Sequence, residues 1–527
     1  MSAGDSLWGG LAVNYLGKAF TALLSLLTLP ILYRQLGGEA FGLFGLFFSV
    51  QVLLGVFDFG VGAALQRDLA AVQAGAASPR AADVVATTRR VERVLWGVAA
   101  MACAVAGTGN SFFATHWLNV QALSPGLVSD AVLWMAVAAA LQFVGNFYVG
   151  CLNALRLHRR TNALQSGVWA LRFPLLLWCV GAGVAPAGTM QEAVVPVLQA
   201  WAATNALLAL VGRALLARAL PQPQPGGAPG VASLRRAARF GVPLVAVTTL
   251  IMVFNQVDKI AASRLLSLDA LGKYTIVLSI AEVMYLMYQP IYTSFLPVFC
   301  ARHAAVGAGE DPTLLWESIG LAGQIMAIAV LPVAAVLFTF PALVIFAWTG
   351  DAPLATSGAS VLRWVIVGAM VNAFLFIPFA LQQAAGDLRP WGWRIAVTLA
   401  VYMPLALAAI QQWGMQGAAA AWCTGSALLA LWLARTTAQQ LGPGPGRGGL
   451  LAATAPAALR TLLACGLVAA LAAAVPAPAG RIGAALLALA ILCLCGLAAL
   501  RSQTDVWSLC LRALSRPRSA PQEASAP

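Results

Sequence analysis

Ten side chains stand out in a chain that is otherwise 61% hydrophobic and only 9% charged. Seven are ionisable groups inside apolar runs: Lys18, Asp58, Arg172, Asp258, Lys259, Glu282 and Arg363. The other three are Tyr285, Tyr288 and Tyr292. A charge inside a membrane span is costly and marks a binding surface or an ion path by default. Arg172 lies roughly ten residues into its apolar run, near the midplane at about 1.5 Å per residue, and Pro174 loosens the backbone just beyond it. Glu282 is also well inside its run. With the orientation argued below, Lys18 and Asp58 fall nearer the cytoplasmic side, and Asp258, Lys259 and Arg363 nearer the outer side. Adjacent helical residues do not face each other, so Asp258 and Lys259 cannot simply cancel. At least one must meet a lumen, another helix or the interface. Arginine and lysine suit anions, the first as a bidentate fork and the second as a point charge. Asp58, Asp258 and Glu282 suit cation coupling or ion pairing. Three tyrosines at spacings of three and four share one helix face, and hydroxylated rings suit sugars. Packing roles fit as well: snorkelling for Lys259, an interhelical ion pair with Glu282 for Arg172, and bundle packing with an aromatic belt for the tyrosines.

The elements that carry these groups are membrane spans. At 527 residues and a mean hydropathy of +0.83, the chain is too apolar for a soluble domain. Spans need about 20 apolar residues. Fourteen such stretches are centred on 11–33, 41–65, 94–115, 128–151, 163–184, 193–217, 240–263, 271–299, 317–340, 358–385, 395–412, 415–434, 459–475 and 481–500. Backbone in hydrocarbon must satisfy itself, which makes them helices and the protein all-α and polytopic. With the N-terminus inside, the only outer-loop cations are Arg34, Arg264, Lys273 and Arg481; apart from four inside spans, every other Lys and Arg is cytoplasmic. The positive-inside rule then places both termini in the cytoplasm.

The net charge of +13 lies along one membrane face, where it serves topology and anionic lipid headgroups rather than nucleic acid. "MSAGDSLWGG" lacks a basic n-region and the first stretch is long enough to span, so it is expected to stay as a helix. Nine cysteines without a C-x-x-C pair read as small buried hydrophobes, and three scattered histidines form no ligand cluster. No metal or cofactor is expected.

An internal repeat sets the organisation. At an offset of 230, "YRQLGGEAFGLFGLFFSV" (33–50) lines up with "ASRLLSLDALGKYTIVLSI" (262–280): Arg34 meets Arg264, Glu39 meets Asp269, Gly42 meets Gly272, and Phe44 meets Tyr274. Six helices separate the copies, so the halves are parallel repeats about an axis along the membrane normal. The expected divisions are a six-helix lobe at 1–219, a cytoplasmic Pro/Gly and basic linker at 220–239, a second six-helix lobe at 240–440, a Pro/Gly linker at 441–458, an extra helix pair at 459–500 and a cytoplasmic tail at 501–527. The outer loops are short, the longest near 116–127 and 341–356. They offer no acidic catalytic set, which speaks against a membrane polymerase or ligase enzyme.

The stretches 36–70 and 254–282, "LGGEAFGLFGLFFSVQVLLGVFDFGVGAALQRDLA" and "FNQVDKIAASRLLSLDALGKYTIVLSIAE", resemble signatures of bacterial polysaccharide flippases. These are the Wzx-type branch of the multidrug/oligosaccharidyl-lipid/polysaccharide exporter superfamily. Helix order agrees across about residues 7 to 440. The resemblance implies a MATE-like (MOP) fold of two six-helix lobes, here with two extra C-terminal helices, and alternating access between the lobes. It also implies an undecaprenyl-pyrophosphate-linked oligosaccharide as substrate, moved across the bacterial inner membrane with its sugars in a polar cleft and its lipid tail in the bilayer. Membrane lipids and other polysaccharide assembly proteins are the further partners implied. On this reading Arg172, Lys18, Lys259 and Arg363 attract the pyrophosphate and acidic sugars, while Tyr285, Tyr288 and Tyr292 meet sugar faces. An H+- or Na+-coupled multidrug exporter of the same superfamily is the alternative within transport, and Asp58 is the acidic residue available to it in the first lobe.

Overall fold

The computed structural model describes residues 3–55, 65, 69, 79–181, 190–220, 246–386, 389–440, 449–476, 478 and 480–503. Asp58, the linker from 221 to 239, the segment 441–448 and the tail beyond Gln503 lie outside the described residues, as does the side chain of Lys18.

Among the described residues there are thirteen named α-helices and no strand. In chain order they are α1 (Ala3–Leu54), α2 (Pro79–Phe112), α3 (Pro125–Ala154), α4 (His158–Gly181), α5 (Val194–Ala219), α6 (Val257–Leu265), α7 (Leu268–Gly307), α8 (Thr313–Thr339), α9 (Pro341–Thr349), α10 (Ala352–Ala385), α11 (Arg389–Gln440), α12 (Gly449–Ala472) and α13 (Arg481–Ser502). Eleven helices are long and apolar enough to cross a membrane. Two of these hold two expected spans each. α1 is broken at Gly37 (φ 81°) and α11 at Gly414 (φ 59°), backbone conformations that glycine adopts without a Cβ penalty. Both breaks fall between expected spans, at 34–40 and 413–414. With the helix at 246–254, which continues the seventh expected span, the count agrees with about fourteen.

Two local features differ from the sequence expectation. The seventh span is interrupted by a turn at Asn255 and Gln256 before resuming as α6. The outer segment 341–356, expected as a loop, contains the short helix α9. A proline at its first turn and left-handed Gly350 at its end punctuate that helix.

The chain divides into two compact units. The first comprises Met1–Ile276 and Trp391–Ala418, the second Val277–Pro390 and Ala419–Pro527. In the first, α3 packs between α2 and α5, and α1 lies against α4. Its core is aromatic: Phe41, Phe44 and Phe47 are buried, with Trp201 about 6 Å from Phe44 and Phe47. In the second, α8 is the hub on which α10, α12 and α13 pack, and α9 lies against α10 and α13.

The first unit also shows why its boundary reaches beyond the sequence lobe at 1–219. The two repeat copies meet within it. A Cβ on Gly42 would run into the carbonyl of Leu268, and one on Gly272 into the carbonyl of Gly38. Only glycine permits this approach of α1 to α7.

Candidate functional site

α7 has 40 residues, about 60 Å of helix at 1.5 Å per residue. Along its apolar length runs one polar stripe. Glu282 and Tyr285 are exposed, Gln289 is half-buried and Thr293 is exposed. Spacings of three, four and four keep these residues on one face. Tyr285 is 47% exposed, whereas Tyr288, one turn on, is buried. Behind the stripe stands a wall of rings shared by α7 and α10. Tyr285 and Tyr288 lie 5.3 Å apart edge to face, Tyr288 lies 4.7 Å from Phe376, and Tyr292 lies 5.1 Å from Phe376 and 6.0 Å from Phe379. The Tyr292 hydroxyl donates to Gln383 Oε1 at 2.7 Å, which fixes the ring. A carboxylate on a helix that crosses hydrocarbon is tolerated where it meets water or protein. The stripe therefore has the character of a lumen face, with Tyr285 as its accessible ring.

In the same unit is a cavity of about 380 Å³ whose walls include Leu331, Met370, Phe374, Leu431 and Leu462, with Thr454 its one polar residue.

Arg172, Arg363 and Lys259, the expected cations whose side chains are described, each have surroundings of their own. Arg172 sits on α4 in the first unit, 3% exposed. Its Nε donates to Thr204 Oγ1 at 2.8 Å and its Nη2 donates to Asn205 Oδ1. Asn205 in turn donates to the carbonyl of Ala138 at 2.8 Å. The guanidinium lies 4.9 and 4.8 Å from the ring centroids of Trp169 and Trp201. It thus joins α3, α4 and α5 through neutral partners, enclosed rather than presented to a cleft. Arg363 is exposed on α10 and its Nε donates to the carbonyl of Phe338 at 3.1 Å. That oxygen is among the last carbonyls of α8, where cations are favoured. Lys259 is half-buried on α6, and neighbouring Asp258 is buried and accepts from the Tyr274 hydroxyl at 2.6 Å. The adjacent charges thus have different surroundings, as their spacing requires.

The repeat motif also has work that its charges alone did not announce. Buried Glu39 accepts from the backbone N–H of Gln121 at 2.6 Å and of Ala122 at 2.8 Å. It caps the loop between α2 and α3. From the second copy, Leu268 N donates to the carbonyl of Asn119 at 3.1 Å, and Trp117 Nε1 donates to Ser263 Oγ at 3.1 Å. Both copies therefore grip one loop. Sequence reasoning paired Glu39 with Asp269 but missed this shared anchor. It also missed Thr204, Asn205, Gln383 and Phe376, of which the adjacent polar pair "TN" inside an apolar span was the readable signal.

The family described as "Polysaccharide biosynthesis protein" matches residues 7–302. No curated protein matches the chain. Among solved structures, the chain is similar to the lipid II flippase MurJ in an inward closed conformation, with TM-score 0.67, 11% identity, and coverage of 96% of this chain and 100% of that one. It is also similar to a multidrug resistance MATE family transporter of the MOP superfamily, inward-facing, with TM-score 0.63, 15% identity, and coverage of 80% and 94%. A MOP superfamily transporter from Pyrococcus furiosus gives TM-score 0.55, 15% identity, and coverage of 82% and 94%. These identities speak for the fold, while the family match spans more than half of the chain, so the protein belongs to the polysaccharide biosynthesis family and carries the fold of the MOP superfamily.

Proposed function

We propose that the protein is a flippase that carries an undecaprenyl-pyrophosphate-linked oligosaccharide from the cytoplasmic to the periplasmic leaflet of a bacterial inner membrane by alternating access. The observation that carries this is the stripe of Glu282, Tyr285, Gln289 and Thr293 on α7, backed by the tyrosine and phenylalanine wall. Polar side chains with accessible rings suit a sugar head, since hydroxyls can bond to Glu282 and Gln289 while a pyranose face lies on Tyr285. Membership of the polysaccharide family supports a glycan substrate, and the fold shared with a lipid II flippase supports a lipid-linked one. The apolar cavity in the same unit suits the prenyl chain, which would remain in the bilayer. Lys259 and Arg363, near the outer side, and Lys18, near the cytoplasmic side, are the cations proposed to attract the pyrophosphate at the ends of the path. Arg172 is assigned to holding the first unit together. Both termini are proposed to be cytoplasmic, and no catalytic residue is assigned. The lobe boundaries 1–219 and 240–440 remain our reading of the repeat, with the last two helices added.

The multidrug exporter alternative draws on the shared fold with a MATE transporter. One experiment separates the two. The protein is reconstituted in proteoliposomes with the lipid-linked oligosaccharide, and appearance of the sugar in the opposite leaflet is measured beside efflux of a cationic dye. Flipping of the glycolipid is expected, with Tyr285→Ala slowing it about tenfold at unchanged protein yield, an effect of about 1.4 kcal/mol on the barrier. Dye efflux without glycolipid movement would replace this reading with the exporter, and full glycolipid flipping by Tyr285→Ala would remove the stripe from the path.

A further inference from the structure

The segment between α2 and α3 lies across the junction of the two repeat copies, and the copies hold it unequally. α2 runs into a wide turn over Phe113–Trp117, in which Leu118 N–H reaches five residues back to the carbonyl of Phe113 at 3.0 Å. α3 starts at its cap, Ser124. Among the described residues no backbone hydrogen bond joins two residues within 119–123, so this strap takes its shape from what it touches. On one side Glu39 of the first copy bonds it through both carboxylate oxygens. Oε1 accepts from Gln121 N–H at 2.6 Å and Oε2 from Ala122 N–H at 2.8 Å. On the other side the second copy meets it through neutral groups. Leu268 N–H donates to the Asn119 carbonyl at 3.1 Å, Trp117 Nε1 donates to Ser263 Oγ at 3.1 Å, and Asn119 lies opposite Ser267 in an isolated parallel bridge. All of these residues belong to the first compact unit.

The inequality follows from how the copies have diverged. Asp269 takes the place of Glu39 in the second copy and is one methylene shorter. Its carboxylate is engaged locally: Lys273, one turn along α7, lies 2.7 Å from Oδ2, and Oδ1 lies where a Cβ on Gly38 would strike it. In the first copy Leu43 stands where Lys273 stands in the second. Glu39 therefore has no cation on the next turn and, at 6% exposure, is held by the N–H groups of the strap instead. Hydrogen bonds to a charged group are roughly twice as strong as neutral ones, and a buried carboxylate stripped of its donors is costly. When the copies separate, the bonds to the second copy are the ones that give way. We propose that Glu39 is a positioning residue that keeps the strap on the first copy, so that the junction parts between the strap and Ser263, Ser267 and Leu268. Parting as a step of transport rests on the transport reading given above, whereas tethering by Glu39 does not.

The tether is tested on the purified full-length chain in detergent, with Ser267→Cys labelled by a bulky water-soluble maleimide. Adding Glu39→Gln, which keeps the shape and loses the charge, should raise the labelling rate about tenfold. Asp269→Asn alters the equivalent carboxylate, which bonds its own helix, and should change the rate by less than about twofold. Unchanged labelling in Glu39→Gln would overturn the tether.

The line of parting is tested in proteoliposomes. Asn119→Cys and Ser267→Cys are joined by oxidation, since paired strands lie about 4.8 Å apart and a disulfide spans about 4.4–6.8 Å between Cα atoms. This bond should slow glycolipid movement about tenfold or more, and reduction should restore it. The single variants, oxidised alike, control for the nine native cysteines. Joining the strap to the first copy instead, through Glu39→Cys, Ala122→Cys and a short bifunctional thiosulfonate, should leave movement within about twofold of the reduced rate. Full movement with the second-copy bond in place, or equal arrest by both bonds, would overturn the line of parting. A chain that moves no glycolipid even when reduced would take the line of parting down with the transport reading, while the maleimide result would still decide the tether.

Discussion

At the scale of single residues, Arg172 shows how depth and role come apart. Its depth is readable from its place in the apolar run, and a midplane arginine invites a substrate. In the structure it spends its donors on Thr204 and Asn205 and lies beside two indole rings. Charged hydrogen bonds are worth about 1.5–3 kcal/mol and partly desolvated cation–π contacts about 1–2, so neutral partners suffice to keep the charge. Arg172→Ala should lower stability by about 2–4 kcal/mol, seen as a lower melting temperature and reduced membrane abundance. Lys should restore little of this, because an ammonium lacks the planar fork that reaches both partners. Normal abundance with export lost would instead return Arg172 to the substrate path expected from sequence. Sequence alone could not reveal these partners, since they lie 32 and 33 positions away and periodicity is blind to which helices become neighbours. Tyr285 and Tyr288 teach the converse lesson. Their shared face was readable from spacing, but that one is exposed and the other buried depends on Phe376 of another helix.

At the scale of elements, the spans were legible because apolar runs of about 20 residues have a single use. The breaks at Gly37 and Gly414 fell between expected spans for the same reason. The turn at Asn255 and Gln256 was not legible as a break. Read by hydropathy, its polar residues look like the approach to a span end. The repeat carried more structure than its alignment alone conveyed. Gly42 and Gly272 occupy equivalent positions in the two copies, and each faces backbone of the other copy's segment. A side chain on either must push α1 and α7 apart. Gly272→Val should therefore weaken this junction, raising the labelling of a cysteine placed at Ser267 by an impermeant reagent about tenfold, while Gly97→Val, where nothing lies within 4 Å, leaves the same label unchanged. Equal labelling in both variants would mean that the junction tolerates the methyl groups and does not govern access at that end.

At the scale of the whole molecule, the last two helices test what a membrane protein needs for stability as distinct from transport. α12 packs on α8, and α13 packs on α8 and α9. Leu450 joins a buried cluster with Phe299, Leu315, Trp316 and Ile319, while Cys465, Ile491 and Cys495 close around Val336. In water, removing such a pair would expose a large apolar face and unfold the unit. In a bilayer the hydrophobic effect is already satisfied, because lipid tails cover the uncovered face, and what is lost is packing between helices. The polar stripe on α7 and its ring partners Phe376 and Phe379 on α10 all lie upstream of residue 450. Removing 450–527 should thus reduce the amount of protein in the membrane several-fold while the rate of glycolipid movement per surviving molecule stays within about twofold, since the polar stripe and its rings are kept and bilayer lipid can stand in for the lost wall of the apolar cavity. The two quantities are separated by measuring membrane-inserted protein and flipped glycolipid on the same preparation. A truncated protein that inserts at normal levels and moves nothing would show that α12 and α13 line the route, with the cavity bordered by Thr454 and Leu462 as the place where the lipid tail depends on them.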